Sequence, residues 1–475
     1  MITHKFPEGF WWGAATSGPQ SEGRFHKAHR NVFDYWYDMD PKAFFNEVGP
    51  NVASNFYNDY EEDIRLMKET GLNSVRTSIQ WSRLIKDFET GETDPAAVSF
   101  YNHVIDAFLK NGIRPIMNLH HFDLPVELYE KYDGWTSKHV IDLFAIYAKR
   151  CFELFGDRVK EWTTFNEPMV VAEGEYMYQF HYPLIVDGKK AVQCIFNLNL
   201  ASVKAIKIFH ETECARLGGH IGIVINLTPA YPRSEDPADV AAADFAETFK
   251  NKSFLDPAVK GVFPEKLVEV LTRDNVLWDA TADEMKTIHD NTVDFLGVNY
   301  YQPFRAKAKE TKFDDSKGWL PDKYFDTYEM PGRRMNPYRG WEIYPKAIYD
   351  VAINVRDNYG NIPWYISENG MGVEGEESSL ARTVSLPTIT ASTSSASISS
   401  GSTRPSRKVR IVSAIISGRR LAAGHGRMPT RTAMASSLST SLRRKRPSRS
   451  QAAGSGLWLR TMASDVSASI LFCLL

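Results

Sequence analysis

Between residues 10 and 368, short runs of apolar residues alternate with longer stretches whose apolar positions recur at helical spacing. Seven runs read as strands: Phe10–Ser17, Ser74–Trp81, Arg114–His121, Glu161–Glu167, His220–Asn226, Asp294–Tyr301 and Pro363–Glu368. They are rich in Val, Ile, Phe, Trp and Thr and mostly apolar on both faces, the pattern of strands covered on both sides. Helical periodicity between them predicts helices over Asp59–Thr70, Asp94–Asn111, Ser137–Phe155 and Ala191–Glu213. Asp94-Pro95 is a cap followed by a first helical position, and Gly112 is a stop. Strict alternation of strand and helix predicts parallel strands. Seven strands with no glycine-rich phosphate loop favour an α/β fold of the (β/α)8 TIM-barrel type over a doubly wound sheet. Such a barrel is one strand short, and the pattern stops near residue 377.

Composition changes sharply there. The chain has 475 residues and a net charge of -2. Residues 378–475 hold 15 Lys and Arg against a single acid, Asp465, a net +14 that leaves the body at -16. The chain therefore divides into a barrel over 1–377 and a Ser/Arg-rich tail over 378–475. No run of about 18 apolar residues predicts a membrane span, and the start, Met1 to Pro7, carries no apolar leader. Cys151, Cys194, Cys214 and Cys473 are too scattered for a metal motif or a disulfide framework, so reduced thiols in a cytoplasmic protein are expected.

Working residues of a TIM barrel gather at the C-terminal ends of its strands. Those ends carry Gln20, Arg76, His121, Asn166 with Glu167, Tyr300, and Glu368 with Asn369 and Gly370. Taken singly, a strand-end Glu is more often an ion-pair residue than a catalyst, His120-His121 reads equally as a core pair, and Arg76 as an ordinary ion-pair partner. As a set they suit sugar chemistry. Glycoside hydrolysis needs one neutral carboxyl to protonate the leaving oxygen and one ionised carboxylate at the anomeric carbon. Asn, Gln, His and Tyr are donors and acceptors suited to sugar hydroxyls.

The finer detail resembles glycoside hydrolase family 1. The resemblance is carried by Phe10-Trp11-Trp12-Gly13-Ala14-Ala15-Thr16-Ser17 with Gln20 and Glu22-Gly23, by Arg76-Thr77-Ser78-Ile79-Gln80-Trp81-Ser82-Arg83, and by His121-Phe122-Asp123-Leu124-Pro125. Thr164-Phe165-Asn166-Glu167-Pro168, Gly297-Val298-Asn299-Tyr300-Tyr301 and Ile366-Ser367-Glu368-Asn369-Gly370 complete it, in family order. The resemblance implies a retaining β-glycosidase with no cofactor or metal, Glu167 as acid/base and Glu368 as nucleophile. It implies that Arg76 pairs with Glu368 and that Tyr300 donates a hydrogen bond to it. Gln20, His121 and Asn166 would bind sugar hydroxyls, and Trp341 would line the aglycone side or simply pack. The family's Trp after the strand-three His is Phe122 here.

The family also requires an eighth strand and an aromatic sugar-binding loop, and the tail reads as having lost both. A barrel left open would expose two strand edges, so a poorly soluble and inactive chain is expected. The tail reads as a disordered linker, as a basic nucleic-acid-binding arm around Arg443-Arg444-Lys445-Arg446, or as a gene read out of frame. Stacking aromatics are missing from it, against nucleic acid. The frame reading has positive support. Met428–Ser437 can be encoded by DNA whose neighbouring frame spells Asn-Ala-Tyr-Lys-Asn-Arg-Tyr-Gly-Phe-Ile, and Thr388–Ser395 by DNA spelling Asp-Asp-Tyr-Arg-Ile-Asp-Phe-Ile. Both look like family text. Just before the first string the shifted frame permits Ser-Trp-Thr. In the resembling family a Ser there, with the Lys and second Tyr, binds a sugar 6-phosphate, whereas a Glu marks plain glucosides. Ala15 to Gly23 likewise resembles the bacterial 6-phospho-β-glucosidase branch. The expected partner is thus a small phosphorylated β-glucoside, with no nucleic acid and no membrane. Plain β-glucosidase, 6-phospho-β-galactosidase and an inactive sugar-binding relic stand as the alternatives.

Overall fold

The structure, a computed structural model, describes residue 6, residues 8–372 and the backbone of 411–415. Eight parallel strands close a barrel: β1 (Trp11–Ala15), β2 (Ser74–Ser78), β3 (Arg114–His120), β4 (Glu161–Asn166), β5 (His220–Asn226), β6 (Phe295–Asn299), β7 (Trp364–Glu368) and β8 (Ile411–Ile415). Seven of them fall on the predicted runs to within a few residues. Each pairs with its chain neighbour, as in Gly13 with Ser74, Ser74 with Arg114, and Gly222 with Phe295.

The tail also carries a short strand. Ile411–Ile415 lies between β7 and β1, with Ser413 opposite both Tyr365 and Trp11. Along these residues it pairs with the edges of β7 and β1. The run Ile-Val-Ser-Ala-Ile is short, apolar and β-branched, which a doubly covered strand requires, but it is enclosed by Ser- and Arg-rich text that hides its period. The sugar-binding loop expected beyond it, Arg443 to Arg446 and Cys473 lie outside the described residues.

Local chemistry explains the helices around the barrel. Asp94 Oδ1 accepts from the amides of Ala96 and Ala97 (2.8 and 3.0 Å), and Pro95 opens the helix Pro95–Lys110. Gly112, with φ +65°, takes the left-handed turn that ends it. The helix Lys138–Phe155 turns Val140, Ile141, Phe144, Tyr147, Cys151 and Phe155 inward. Against it packs Gly188–His210, the one described helix long and apolar enough to cross a membrane, but mostly buried inside the protein.

Two apolar clusters result. The large one fills the space between strands and helices, with Trp81 stacked on Tyr147 at 5.2 Å and Trp135 edge-on to Phe165. The small one joins Ala15, Ile116, Phe295 and Tyr365. Those residues come from β1, β3, β6 and β7, which are not all neighbours, so they meet across the barrel interior and plug it below the strand ends.

If Ile411–Ile415 closes the barrel, Ser413→Pro removes a ladder amide from a central strand. We expect it to lower the unfolding free energy in urea by roughly 1–3 kcal/mol. An unchanged midpoint would mean that this strand does not close the barrel.

Candidate active site

The C-terminal strand ends converge on Glu368, and a break in the pleat brings it there. Along β7, Tyr365 faces the barrel interior and Ile366 the helix layer, so strict alternation would send Glu368 outward with Ile366. The pairing of β7 with β6 shifts register between Ile366 and Glu368. The added residue turns Glu368 back inward, a known use of bulges beside working sites. β4 shows a similar shift against β5 between Thr163 and Asn166, just before Glu167.

Inside, Glu368 is 5% exposed and both of its oxygens are held. Arg76 Nη2 donates to Oε1 and the Tyr301 hydroxyl to Oε2. Arg76 has no exposed surface; its other terminal nitrogen donates to the Thr16 carbonyl (3.3 Å) and to His121 Nδ1 (3.2 Å). Since arginine can only donate, the His121 ring accepts at Nδ1 and carries its proton on Nε2.

Tyr300 does not occupy the place the resemblance implied. Its hydroxyl donates to the backbone carbonyl of Tyr344 (2.6 Å) on the helix side. Phe295 faces in and Leu296, Val298 and Tyr300 face out, so the next inward tyrosine is Tyr301. The signal was present in the period of two along β6. The same period brings in Asn299, which the sequence reading also missed. Its Nδ2 donates to Glu167 Oε1 (2.6 Å) and to Asn166 Oδ1 (3.1 Å), while its Cα is the register partner of Glu368. Asn299 thus ties the two glutamates into one constellation.

Glu167 is 1% exposed and has φ +48°, a left-handed conformation that is costly for a side-chain-bearing residue. It is the N-cap of the helix Pro168–Tyr176, whose first residue needs no amide donor. Its own amide donates to the Val224 carbonyl at 2.8 Å, which holds the turn on β5.

Gln20, half-buried, lies in the short helix Gly18–Ser21 after β1. A buried network holds that helix. Glu22 accepts from Gln80 Nε2 (2.6 Å), Arg83 Nε (2.7 Å) and the Tyr101 hydroxyl, and the Gly18 amide donates to Ser78 Oγ (2.8 Å). Behind His121, its amide donates to Asp123 Oδ1 (2.9 Å), and His120 Nδ1 lies 3.7 Å from the same oxygen. Burial pushes the His120 pKa down to about 3 and that of Asp123 up to about 7, so His120 is a neutral ring at physiological pH. Trp341 packs its ring on Tyr301 at 5.1 Å, with the Arg339 guanidinium 4.5 Å from its centroid. Of the eight predicted site residues, Arg76, His121 and Glu368 form one hydrogen-bonded group, and Asn166 and Glu167 form a second through Asn299; the register of β6 on β7 sets the two side by side. Trp341 touches the first group, Gln20 stands on the adjacent strand end, and Tyr300 faces away. Among the described residues, no three His, Cys, Asp or Glu side chains are grouped to hold a metal ion.

Comparison with known proteins decides the class. The family model described as glycosyl hydrolase family 1 matches residues 2–385. The chain belongs to that family. It is therefore a glycoside hydrolase on a TIM barrel. It is 53% identical to the 6-phospho-beta-glucosidase GmuD of Bacillus subtilis, over 79% of this chain and 80% of the relative. It is 36% identical to Beta-glucosidase A of Thermotoga maritima, over 78% and 79%. Among solved structures, a mutant rice β-glucosidase in a covalent complex with glucose superposes with a TM-score of 0.72 at 29% identity, covering 77% of this chain and 80% of that one.

For a family 1 enzyme, the exchange of Tyr300 for Tyr301 is testable. Tyr301→Phe removes a donor to a buried carboxylate and should lower kcat/KM about 10- to 100-fold, as for hydrogen bonds to charged groups. Tyr300→Phe removes a bond to a backbone carbonyl and should cost less than about 5-fold. The reverse order in steady-state kinetics would reinstate Tyr300.

Proposed function

We propose that the protein is a retaining β-glycosidase acting on 6-phospho-β-glucosides, releasing glucose 6-phosphate and an aglycone. The observation that carries the proposal is Glu368, its two oxygens held by Arg76 and Tyr301, set by strand register beside Asn299, which donates to Glu167. Glu368 is assigned as nucleophile: an Arg and a tyrosine hydroxyl on one carboxylate stabilise its charged form. Glu167 is assigned as acid/base. Retaining pairs stand about 5–5.5 Å apart, and at that spacing the charge on one carboxylate, here Glu368, disfavours ionisation of the other, Glu167. Glu167 therefore protonates the departing oxygen while Glu368 bonds to the anomeric carbon. Once Glu368 is esterified that repulsion is gone, and Glu167 takes a proton from the attacking water. Gln20, His121 and Asn166 are assigned to sugar hydroxyls, with the Nε2–H of His121 a donor. Trp341 is assigned to the aglycone side. No cofactor enters the scheme.

The phosphorylated substrate is supported by the identity to the Bacillus subtilis 6-phospho-beta-glucosidase and by the resemblance of Ala15–Gly23 to that branch. A sugar phosphate is charged and does not cross a bilayer unaided, so such an enzyme works in the cytoplasm, where the buried free thiols of Cys151, Cys194 and Cys214 stay reduced.

The tail over 378–475 is assigned to an out-of-frame reading. Supporting this, the family match stops at residue 385, while about a fifth of both this chain and the Bacillus subtilis relative goes unmatched. The Ser, Lys and Tyr that would bind the 6-phosphate belong to the shifted frame and are not residues of this chain.

Three experiments test these assignments. Resequencing the coding DNA across codons 370–440 is expected to reveal one base inserted or lost; a confirmed frame would overturn the tail assignment. The chain and its frame-restored counterpart can then be compared on nitrophenyl β-glucoside with and without a 6-phosphate. The restored chain is expected to prefer the phosphorylated substrate by at least about 100-fold, the worth of two charge-assisted hydrogen bonds; equal rates would overturn the substrate. In the frame-restored chain Glu368→Gly should lose nearly all turnover and regain it with azide, giving the inverted glycosyl azide. A retained product would overturn the nucleophile.

A further inference from the structure

We propose that residues 341–344 form a brace that holds Tyr301 against Glu368, and that the Arg305–Glu342 ion pair locks it. The proposal rests on the assignment of Glu368 as nucleophile.

Two segments run side by side at the mouth of the barrel and are tied at successive residues. The Tyr300 hydroxyl donates to the Tyr344 carbonyl (2.6 Å). The Tyr301 ring lies 5.1 Å from the Trp341 ring. Gln302 Oε1 accepts from the Glu342 amide (3.4 Å). Arg305 closes the series with a two-pronged bond to Glu342, Nη2 to Oε1 at 2.7 Å and Nε to Oε2 at 3.1 Å. The fork is nearly dry, with side chains 10% and 5% exposed. The guanidinium is held between two aromatic rings, its carbon 5.0 Å from the centroid of Tyr231 and 4.7 Å from that of Tyr344. On the far side, the turn bearing Trp341 is pinned by the Asn336 amide on the Trp341 carbonyl (2.8 Å) and by Asn336 Nδ2 on the Gly372 carbonyl (3.1 Å). Gly372 follows Glu368 by four residues, so the brace spans from the strand of Tyr301 to the strand of Glu368.

A fully paired but buried ion pair adds little net stability over a well-packed apolar pair of the same volume. Its planar fork adds orientation instead. Here the oriented object is the 341–344 segment, and its contact with the site is the Trp341 ring on Tyr301. Arg305 and Glu342 are therefore positioning residues. They act through Tyr301, whose hydroxyl steadies the charge on Glu368.

The test uses trapping of the covalent intermediate by a dinitrophenyl 2-deoxy-2-fluoro-β-glucoside, as free sugar and as 6-phosphate. Dinitrophenolate release gives the rate and peptide mapping the labelled residue. The double variant Arg305→Met/Glu342→Leu keeps apolar packing and removes both charges together. It is expected to retain its Tm within about 3 °C, to trap about 10-fold more slowly, and to move the acid limb of the pH profile upward, because Glu368 loses a donor to its ionised form. Tyr301→Phe should give the same shift, and adding it to the double variant should slow trapping no further than Tyr301→Phe alone. Arg305→Lys keeps the charge and loses the fork; it is expected to move the acid limb the same way by a smaller amount, and gives the answer should the double variant fold poorly. Parent-like rates with an unmoved acid limb would overturn the brace, as would effects that multiply with Tyr301→Phe. Failure of the parent chain to label at Glu368 would overturn the assignment of the nucleophile itself and the brace with it, a result distinguishable from failure of the brace alone.

Discussion

A guanidinium enclosed by a barrel has to be paired, because an isolated charge out of water costs far more than a fold can spare. Arg76 is such a group, and Glu368 is its counter-charge. Much of the strand-end arrangement follows from that one contact. The carboxylate has to reach inward from β7, which the local register shift accomplishes. The remaining guanidinium donors need neutral acceptors, and these are the Thr16 carbonyl and an imidazole nitrogen of His121. The second carboxylate oxygen needs a donor of its own, and Tyr301 supplies it. The ion pair also sits directly above the interior plug of Ala15, Ile116, Phe295 and Tyr365, so water cannot approach it from below. Tyr365 is part of that plug, and burial drives its phenol up to about 12, which keeps it neutral beside the pair.

The two glutamates share a second device. Each stands just after a break in strand register, and Glu167 adds a left-handed backbone. A regular pleat turns alternate side chains inward, so consecutive functional residues at a strand end cannot all face the pocket. Bulges and a sharp turn release that constraint at β4 and β7. At β6 no such release is needed: Asn299 and Tyr301 are two apart, and both face inward by ordinary alternation. The site thus combines two irregular strands with a regular one: Asn299 on β6 bonds through its side chain to the end of β4 and pairs through its backbone with β7.

How much of this was legible in the sequence depended on which period carried the information. The seven apolar runs marked seven strands because doubly covered strands are apolar throughout. Asp94-Pro95 and Gly112 bounded a helix because capping chemistry is local. Arg76, His121, Asn166, Glu167 and Glu368 were found as strand ends. The choice between Tyr300 and Tyr301 was open to the same reasoning, since Phe295 and Asn299 mark the inward parity of β6; only the carried-over motif pointed to the wrong ring. The bulges were not legible, because a register shift is a relation between strands that neither sequence states. Ile411–Ile415 was passed over for a different reason: five residues are too few to show a period, and their surroundings are basic and polar. What makes them a strand is the gap between β1 and β7, a property of the other seven strands.

The left-handed turn at Glu167 has a consequence beyond geometry. Glycine adopts φ +48° at no steric cost, whereas glutamate there holds the backbone in a conformation worth about 1–3 kcal/mol of strain. Its carboxylate is also buried, which carries a desolvation cost of its own, and Asn299 is among the groups that hydrogen-bond to it. Drift toward greater thermal robustness at this position would therefore run toward removing the side chain altogether. This strand end is held away from its own stability optimum, and only selection for turnover can keep it there.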